Sequence, residues 1–259
     1  MRIFLAVGAA VLLAASALTP AMASPGPAIA ESSGGPNIAV QGPHNSLKFY
    51  WAFNNTGTWH AETVAGPGTT FSAPSIAETS TGVNIVAQGP HNSLKFYWAF
   101  SNTGTWHAET VAGRGTTFSA PSIAVTSAGA NITAVGARNS LKFYWVLTGH
   151  GNWHPETVAG PGTAFSAPSI AEAQGGPNIA VMGPGNRLKF YWAFNNTATW
   201  HAESVAGRGT TISAPSIAVT SAGANITAVG ARNSLKFYWV LTGMGNWHPE
   251  TVAGPGSVR

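Results

Sequence analysis

The chain has 259 residues, of which 44% are hydrophobic and only 8% are charged, and its formal net charge is +4. Lys and Arg are spread along the chain, so the basic balance reflects scarce acids and argues against a nucleic-acid partner. The chain contains no Cys, which excludes disulfides as a source of stability and requires a large core. The 31 Gly and 17 Pro favour many short strands joined by tight turns over helices.

The N-terminal segment has the features of a secretory signal peptide. Arg2 precedes an apolar run over residues 3–18, and Ala21-Met22-Ala23 is a small-x-small cleavage motif. The run is too short and too rich in Ala for a membrane span, and no second apolar stretch follows. We therefore expect residues 1–23 to be a signal peptide that is cleaved near Ala23, and the protein to be secreted without a membrane span.

The remainder, residues 24–259, consists of five copies of a 47-residue repeat. The pentapeptide Leu-Lys-Phe-Tyr-Trp begins at Leu47 and recurs four times at steps of 47 residues, and a Trp-His-x-Glu motif keeps the same step. A period between about 20 and 50 residues is typical of solenoids, propellers and repeat arrays. The copies run approximately over residues 25–71, 72–118, 119–165, 166–212 and 213–259.

Each repeat contains four segments of strand length. In the second copy these are Ser75–Thr79, Asn84–Gln88, Leu94–Phe100 and His107–Ala112, and the breaks between them supply Gly, Asn or Pro. The segments are rich in β-branched and aromatic residues and show no helical period. They predict four short antiparallel strands, the content of one propeller blade.

Three arrangements of such repeats are open: a closed propeller, a β-solenoid and a string of independent modules. Solenoid coils usually have shorter repeats, and 47 residues is near the lower limit for folding alone. Bulky side chains also alternate on both faces of the third segment, so each blade needs two neighbours. We therefore predict an all-β fold: a five-bladed β-propeller with four antiparallel strands per blade.

The repeats resemble those of the PLL-type bacterial propeller lectins. The shared pattern is Ser-Ala-Pro-Ser-Ile-Ala at 72–77, Gly-x-x-Asn-x-Leu leading into an aromatic strand at 89–98, and a last strand that opens at a Trp and ends in Val-Ala-Gly. The resemblance covers all five copies and implies a sugar-binding propeller that recognises fucose and related sugars. The number of copies is instead similar to the five-bladed tachylectin, which implies N-acetylated aminosugars.

The start of the fourth segment carries the candidate binding residues. Trp59 lies at a rim of the blade, where an aromatic ring can stack on the apolar face of a sugar. His60 and Glu62 share the other face of the strand, where they can bind vicinal hydroxyls. The predicted carbohydrate-binding residues are the Trp, His and Glu of each copy: Trp59, His60, Glu62, Trp106, His107, Glu109, Trp153, His154, Glu156, Trp200, His201, Glu203, Trp247, His248 and Glu250.

Each of these residues also has a purely structural interpretation. The ten Trp occupy only two positions of the repeat, so Trp59 and its equivalents can equally fill the wedge between blades. His60 and Glu62 can satisfy each other or a backbone group of the next blade, because a buried polar group needs a partner. Lys48 and Glu62 can equally form an ion pair between blades.

The sequence gives no support for catalysis or a resident metal. Without any Asp, a Ser-His-Asp triad cannot be built, and the eight Glu are five repeat copies plus Glu31, Glu78 and Glu172. His-x-Glu offers two ligands per blade, fewer than zinc requires. We expect no enzyme activity, no cofactor and no metal.

Small differences divide the repeats into two kinds. Copies one, two and four read Trp-His-Ala-Glu, whereas copies three and five read Trp-His-Pro-Glu, and residues 122–149 and 216–243 are identical. Two classes of sugar site with unequal affinity follow from this difference.

The sequence therefore favours a secreted multivalent lectin that binds glycans, either fucosylated or N-acetylated, and leaves the oligomeric state open. A structural or protein-binding scaffold is the alternative, because repeat arrays also gain stability from their summed interfaces. A propeller glycosidase is the third interpretation.

Overall fold

The computed structural model describes residues 26–32, 34–54, 56–100, 104–147, 150–173, 175–194, 199–242 and 245–258. The predicted signal peptide at 1–23 lies outside these residues. The described residues form twenty strands in five antiparallel four-stranded sheets, each of which follows chain order from its first to its fourth strand. The all-β prediction is confirmed.

The first sheet contains β1 (Ala28–Ser32), β2 (Gly35–Gly42), β3 (Ser46–Ala52) and β4 (Trp59–Ala65). The second contains β5 (Ser75–Thr79), β6 (Gly82–Gly89), β7 (Ser93–Phe100) and β8 (His107–Ala112). The third contains β9 (Ser122–Thr126), β10 (Gly129–Gly136), β11 (Ser140–Leu147) and β12 (His154–Ala159). The fourth contains β13 (Ser169–Ala173), β14 (Gly176–Gly183), β15 (Arg187–Trp192) and β16 (His201–Ala206). The fifth contains β17 (Ser216–Thr220), β18 (Gly223–Gly230), β19 (Ser234–Leu241) and β20 (His248–Ala253).

The turn between the second and third strands of a sheet uses left-handed backbone. In the second sheet His91 and Asn92 have φ values of 57° and 59°, a conformation that Asn adopts more readily than most residues. The carbonyl oxygen of Asn92 accepts the N–H groups of Thr116 and Thr117, each at 2.9 Å. The turn therefore fixes the connection that leads to the next sheet.

Among the described residues, the helices are three-residue 3-10 turns, and none is long and apolar enough to cross a membrane.

Neighbouring sheets pack face to face around an apolar cluster. Between the second and third sheets, Leu94 and Phe96 lie against Ile123, Ile132 and Tyr144, all of them buried. The same positions form clusters between the first and second, third and fourth, and fourth and fifth sheets. The core is therefore divided into layers between blades.

The first strands of consecutive sheets lie side by side near the centre of this arrangement. β1 packs against β5, β5 against β9, β9 against β13, and β13 against β17. A serine hydroxyl joins most of these pairs; for example, Ser122 Oγ accepts the N–H of Ile170 at 3.2 Å. Among the described residues, β17 and β1 show no comparable packing.

The prediction of a ring closed by five blades is therefore wrong. The five sheets are joined by four interfaces, and the fifth interface that closure needs is missing from the described residues. Ile29 on β1 is 64% exposed, whereas its equivalent Ile170 on β13 is 7% exposed. The repeat count gives the number of sheets, but the angle between sheets decides whether they close.

Ile29 and Ile170 provide a matched test of this open arrangement. We expect Ile170→Ala to lower the free energy of unfolding by about 2–5 kcal/mol, because it removes buried volume from an interface between sheets. Ile29→Ala is expected to change it by about 0.5 kcal/mol or less, because that side chain is largely in solvent. Urea unfolding measures both, and equal losses would show that Ile29 is packed.

Candidate functional site

The glutamate of the Trp-His-x-Glu motif lies at the contact between neighbouring sheets. Glu156 on β12 accepts the indole N–H of Trp145 from its own sheet through Oε1, at 2.7 Å. Its Oε2 accepts the indole N–H of Trp200 from the fourth sheet, at 3.0 Å. One carboxylate therefore joins two sheets through two charge-assisted hydrogen bonds.

This bridge recurs between other sheets. Glu62 accepts from Trp51 at 3.1 Å and from Trp106 at 2.7 Å, and Glu203 accepts from Trp192 at 3.0 Å and Trp247 at 2.8 Å. Lys48, by contrast, donates to Thr63 at 2.5 Å and makes no ion pair with Glu62 among the described residues. Three of the glutamates predicted to bind sugar, Glu62, Glu156 and Glu203, thus each accept indole N–H groups from two neighbouring sheets.

The tryptophans at the start of the fourth strands fill space between sheets. Trp200 meets Phe143 of the third sheet edge to face, with ring centroids 5.0 Å apart. The same contact, at 5.1 Å, joins Phe49 to Trp106, Phe96 to Trp153 and Phe190 to Trp247. Trp59 of the first sheet is different, because it is 48% exposed and no preceding sheet lies among the described residues.

The histidines lie on the surface at the same rim. His154 stacks on the ring of Trp145 with centroids 4.1 Å apart and planes 18° apart, while the imidazole stays exposed. Equivalent stacks form for His60, His107, His201 and His248 at 4.0–4.1 Å. The structure therefore brings Trp, His and Glu together at this rim but gives them unequal exposure. Their role in sugar binding stays a prediction.

Two clefts open between sheets at this rim. One, of about 520 Å³, lies between the second and third sheets and is lined by Asn84, Trp98, Phe100, Thr126 and His150, among others. The other, of about 430 Å³, lies between the fourth and fifth sheets, with Asn178, Trp192, Phe194 and Glu203 in its lining. Sequence reasoning missed Asn84, Trp98 and Phe100 as lining residues. Their position at the rim end of paired strands was the available signal.

Trp98 has a different environment from the other third-strand tryptophans. Its Nε1 is buried and has no hydrogen-bond partner. Glu109, which would accept from it by analogy with Glu156, instead accepts the backbone N–H of Gly151 and the indole of Trp153 through Oε2, each at 3.0 Å. The other oxygen, Oε1, lies 4.0 Å from His150 Nδ1. A loop of the third sheet thus takes the carboxylate of Glu109, and the buried indole N–H of Trp98 is left without a partner.

The ring of Trp98 is also held by two imidazoles. His107 of its own sheet stacks on it at 4.0 Å, and His150 of the third sheet at 4.4 Å with planes 4° apart. His150 lies in the loop before β12, where the otherwise matching fifth repeat has Met244.

Among the described residues, no group of three or more His, Cys, Asp or Glu is placed to hold a metal ion.

Two carboxyl groups outside the motif are half-buried at the same end of the sheets. Burial raises the pKa of Glu172 from 4.5 to about 7, although Asn131 Nδ2 donates to this carboxylate at 2.7 Å and lowers the pKa in part. Burial also raises the pKa of Glu78 to about 7, and its Oε1 has no hydrogen-bond partner. Both groups therefore hold a proton more firmly in the folded protein than in the unfolded chain.

Solved structures with a similar fold include several lectins, whereas no family model and no curated protein sequence matches this chain. BP39L lectin from Burkholderia pseudomallei has a TM-score of 0.77 at 15% identity, over 92% of this chain and 74% of that chain. SapL1 lectin in complex with α-methyl fucoside has 0.64 at 11%, over 89% and 80%. Aleuria aurantia lectin, a six-bladed β-propeller, has 0.57 at 14%, over 88% and 78%; it has also been solved with Fucα1-6GlcNAc.

At these identities the likeness shows the fold alone, which is that of a β-propeller. The comparison also corrects the predicted architecture, because the similar propeller has six blades and not five. This chain, with five four-stranded sheets, covers 78% of that six-bladed lectin. The finer resemblance to PLL-type lectins or tachylectin stays a prediction.

Glu156 and Glu250 test the bridging carboxylate in nearly identical repeats. Glu250 accepts from Trp239 at 2.7 Å but lies on the outer face of the fifth sheet, where the described residues supply no Trp from a following sheet. We expect Glu156→Gln to cost about 1.5–3 kcal/mol of unfolding free energy, because the amide cannot accept both indoles as a carboxylate does. Glu250→Gln is expected to cost about 1 kcal/mol or less. Denaturant unfolding gives both values, and similar losses would contradict the bridge.

The raised pKa values of Glu78 and Glu172 predict a pH dependence of stability. In the folded protein these groups stay protonated up to about pH 7, while in the unfolded chain they ionise near pH 4.5. Their contribution is therefore complete below pH 4.5 and is lost as the pH rises through 7. The Glu78→Gln/Glu172→Gln variant should lose less stability over this range than the unaltered protein. Thermal unfolding across the range tests this, and parallel profiles would exclude it.

Proposed function

We propose that the protein is a secreted, multivalent lectin that binds fucosylated glycans in the clefts between its sheets. The observation that carries this proposal is the buried indole N–H of Trp98, which has no hydrogen-bond partner and belongs to a residue that lines the cleft between the second and third sheets. A buried donor without a partner costs free energy unless a ligand satisfies it. A sugar hydroxyl is a suitable acceptor.

The lining of this cleft combines the groups that a sugar needs. Phe100 and Val125 supply apolar surface, while Asn84, Thr126 and His150 supply donors and acceptors for hydroxyl groups. The volume of about 520 Å³ falls within the usual range of small-molecule sites. The cleft can therefore accept a sugar unit with part of its glycan in solvent.

The similar structures support fucose as the sugar. SapL1 was solved with α-methyl fucoside, and Aleuria aurantia lectin with Fucα1-6GlcNAc. N-acetylated sugars are the second candidate, on the resemblance to tachylectin. Export follows from the predicted signal peptide, and the proposal includes no catalytic step.

Repetition of the cleft supports multivalent binding. A second cleft lies between the fourth and fifth sheets, but there the indole of Trp192 is already engaged by Glu203. Two classes of site are thus expected, as the two kinds of repeat also predict. Several weak sites on one molecule bind a glycan-coated surface more tightly than one, because they raise the effective concentration.

A scaffold without sugar binding is the second candidate. The observation that favours it is the structural use of the motif, since three glutamates each bridge two indoles of neighbouring sheets. Under this alternative, the rim residues serve packing alone.

A glycan array with the exported protein separates the two candidates. We expect fucosylated glycans to bind, and Trp98→Phe to weaken the first site by about 1–3 kcal/mol, because the ring is kept while the free N–H is lost. Titration with α-methyl fucoside, followed through the indole N–H resonances, should shift the signal that Trp98→Phe removes.

Trp145→Phe is the control for this variant. Its indole N–H is held by Glu156, so the substitution should lower stability and leave the first cleft unchanged. Absence of binding to every glycan at millimolar concentration, with the fold intact by circular dichroism, would favour the scaffold. An unshifted Trp98 resonance with binding elsewhere would move the site away from this cleft.

A further inference from the structure

The first sheet presents one face that no described residue covers. Ile29 and Trp59 are 64% and 48% exposed. Ile38 and Tyr50 on the same face are half-buried, whereas their equivalents in the second to fifth sheets are buried. All four positions pack against the preceding sheet elsewhere in the molecule, as Tyr144 and Ile132 do. This face is therefore one half of an interface between sheets.

The fifth sheet presents the other half. Leu235 and Phe237 are half-buried, although the equivalent Leu141 and Phe143 of the third sheet are fully buried. Val252 is 60% exposed, and Glu250 is exposed with one carboxylate oxygen engaged by Trp239. In the third sheet the same positions receive Trp200, through Phe143 and Glu156. The fifth sheet therefore has the Phe and Glu positions that contact a tryptophan in the third sheet, but the described residues supply no tryptophan to them.

We propose that these two faces together bind one additional four-stranded repeat of the same 47-residue pattern, which the described residues do not contain. The faces are unequal and complementary, since one offers Ile and Trp and the other offers Phe, Leu and Glu. A sheet that enters between them must therefore carry Phe and Glu on the side facing Trp59, and Ile and Trp on the side facing Phe237. A repeat of this chain's own pattern meets both requirements.

The blade number of the similar lectin argues for a single blade as the occupant. Aleuria aurantia lectin has six blades, so five sheets in the same layout would leave one position open. A second rigid copy of this chain does not fit. If its first sheet packed on the fifth sheet of the first copy by the usual interface, its second sheet would coincide with the first sheet of that copy.

The fourth repeat is the matched occupant. Residues 216–243 of the fifth repeat are identical to residues 122–149 of the third. The fifth sheet therefore carries in β17–β19 the same side chains that the third sheet, in β9–β11, packs against the fourth sheet. A polypeptide with the sequence of residues 166–212 should therefore donate its Trp to Glu250 Oε2. Its Glu should accept the indole N–H of Trp59.

The test adds this repeat polypeptide to the full chain and follows backbone hydrogen exchange. We expect one polypeptide to bind per chain, and exchange in β1 and β20 to slow toward that of β5 and β12. Phe237→Ala and Trp59→Ala should each weaken the complex, whereas Phe53→Ala, on an exposed residue outside both faces, should not. Native mass spectrometry measures the stoichiometry.

A tethered version keeps the test decisive if the isolated repeat does not fold. Joined to the full chain by a long Gly/Ser linker, the repeat reaches an effective concentration of about millimolar. Unchanged exchange in β1 and β20 of the tethered chain would overturn the proposal. Full protection of both strands in the free chain would overturn it as well, because the chain would then close on itself. A dimer that protects both strands would instead identify a second copy as the occupant.

Discussion

A carboxylate that accepts indole N–H groups from two neighbouring sheets is the contact on which the arrangement of the blades depends. Glu156 holds Trp145 within its sheet and Trp200 across the interface, and Phe143 packs against the same Trp200. A single four-stranded sheet cannot bury its aromatic strand alone. The bridge fixes how the next sheet sits on it, because both oxygens of one rigid group are used.

This contact is asymmetric, because its two sides use different residues. The asymmetry decides which side chains are exposed at the two ends of the row of sheets. Each sheet has a side that gives Trp and Ile and a side that receives them on Phe, Leu and Glu. A row of such sheets must end in two unequal faces unless it closes into a ring. The exposure of Ile29 and Trp59 at one end, and of Val252 at the other, is the direct result.

The same contact also shapes the clefts. Where the carboxylate bridges both indoles, as Glu203 does, the third-strand tryptophan has no free donor. In the second sheet Glu109 instead accepts the backbone N–H of Gly151 from a loop of the third sheet, and the indole of Trp98 is left unpaired. Because Glu109 is bonded to this loop, the indole N–H of Trp98 lacks the glutamate partner that its equivalents have. That N–H therefore becomes a candidate binding group.

Local pattern in the sequence was enough for the strands. The first and fourth predicted segments of the second repeat, Ser75–Thr79 and His107–Ala112, coincide with β5 and β8. The second segment was predicted shorter than β6, because Gly82 and Gly89 were assigned to turns. Alternation of side chains and turn residues are properties of neighbouring residues, so one sequence is sufficient to read them.

The candidate site was predictable only in part. The rim and the Trp, His and Glu of each repeat were recognised, but their environments were not. Whether Trp59 or Trp200 is packed depends on a sheet that comes from another part of the chain. The free indole of Trp98 depends on a hydrogen bond made by Glu109 to a loop 42 residues away in sequence.

The sequence by itself thus determines the repeat length, the number of sheets, the all-β class and the repeated motif, because each arises within one 47-residue unit. The closure of the ring and the free donor in the first cleft were decided by the tertiary structure. Both depend on the angle and the contacts between units. Four identical steps of 47 residues in the sequence leave that angle undetermined, since it is set by side chains that meet only across an interface.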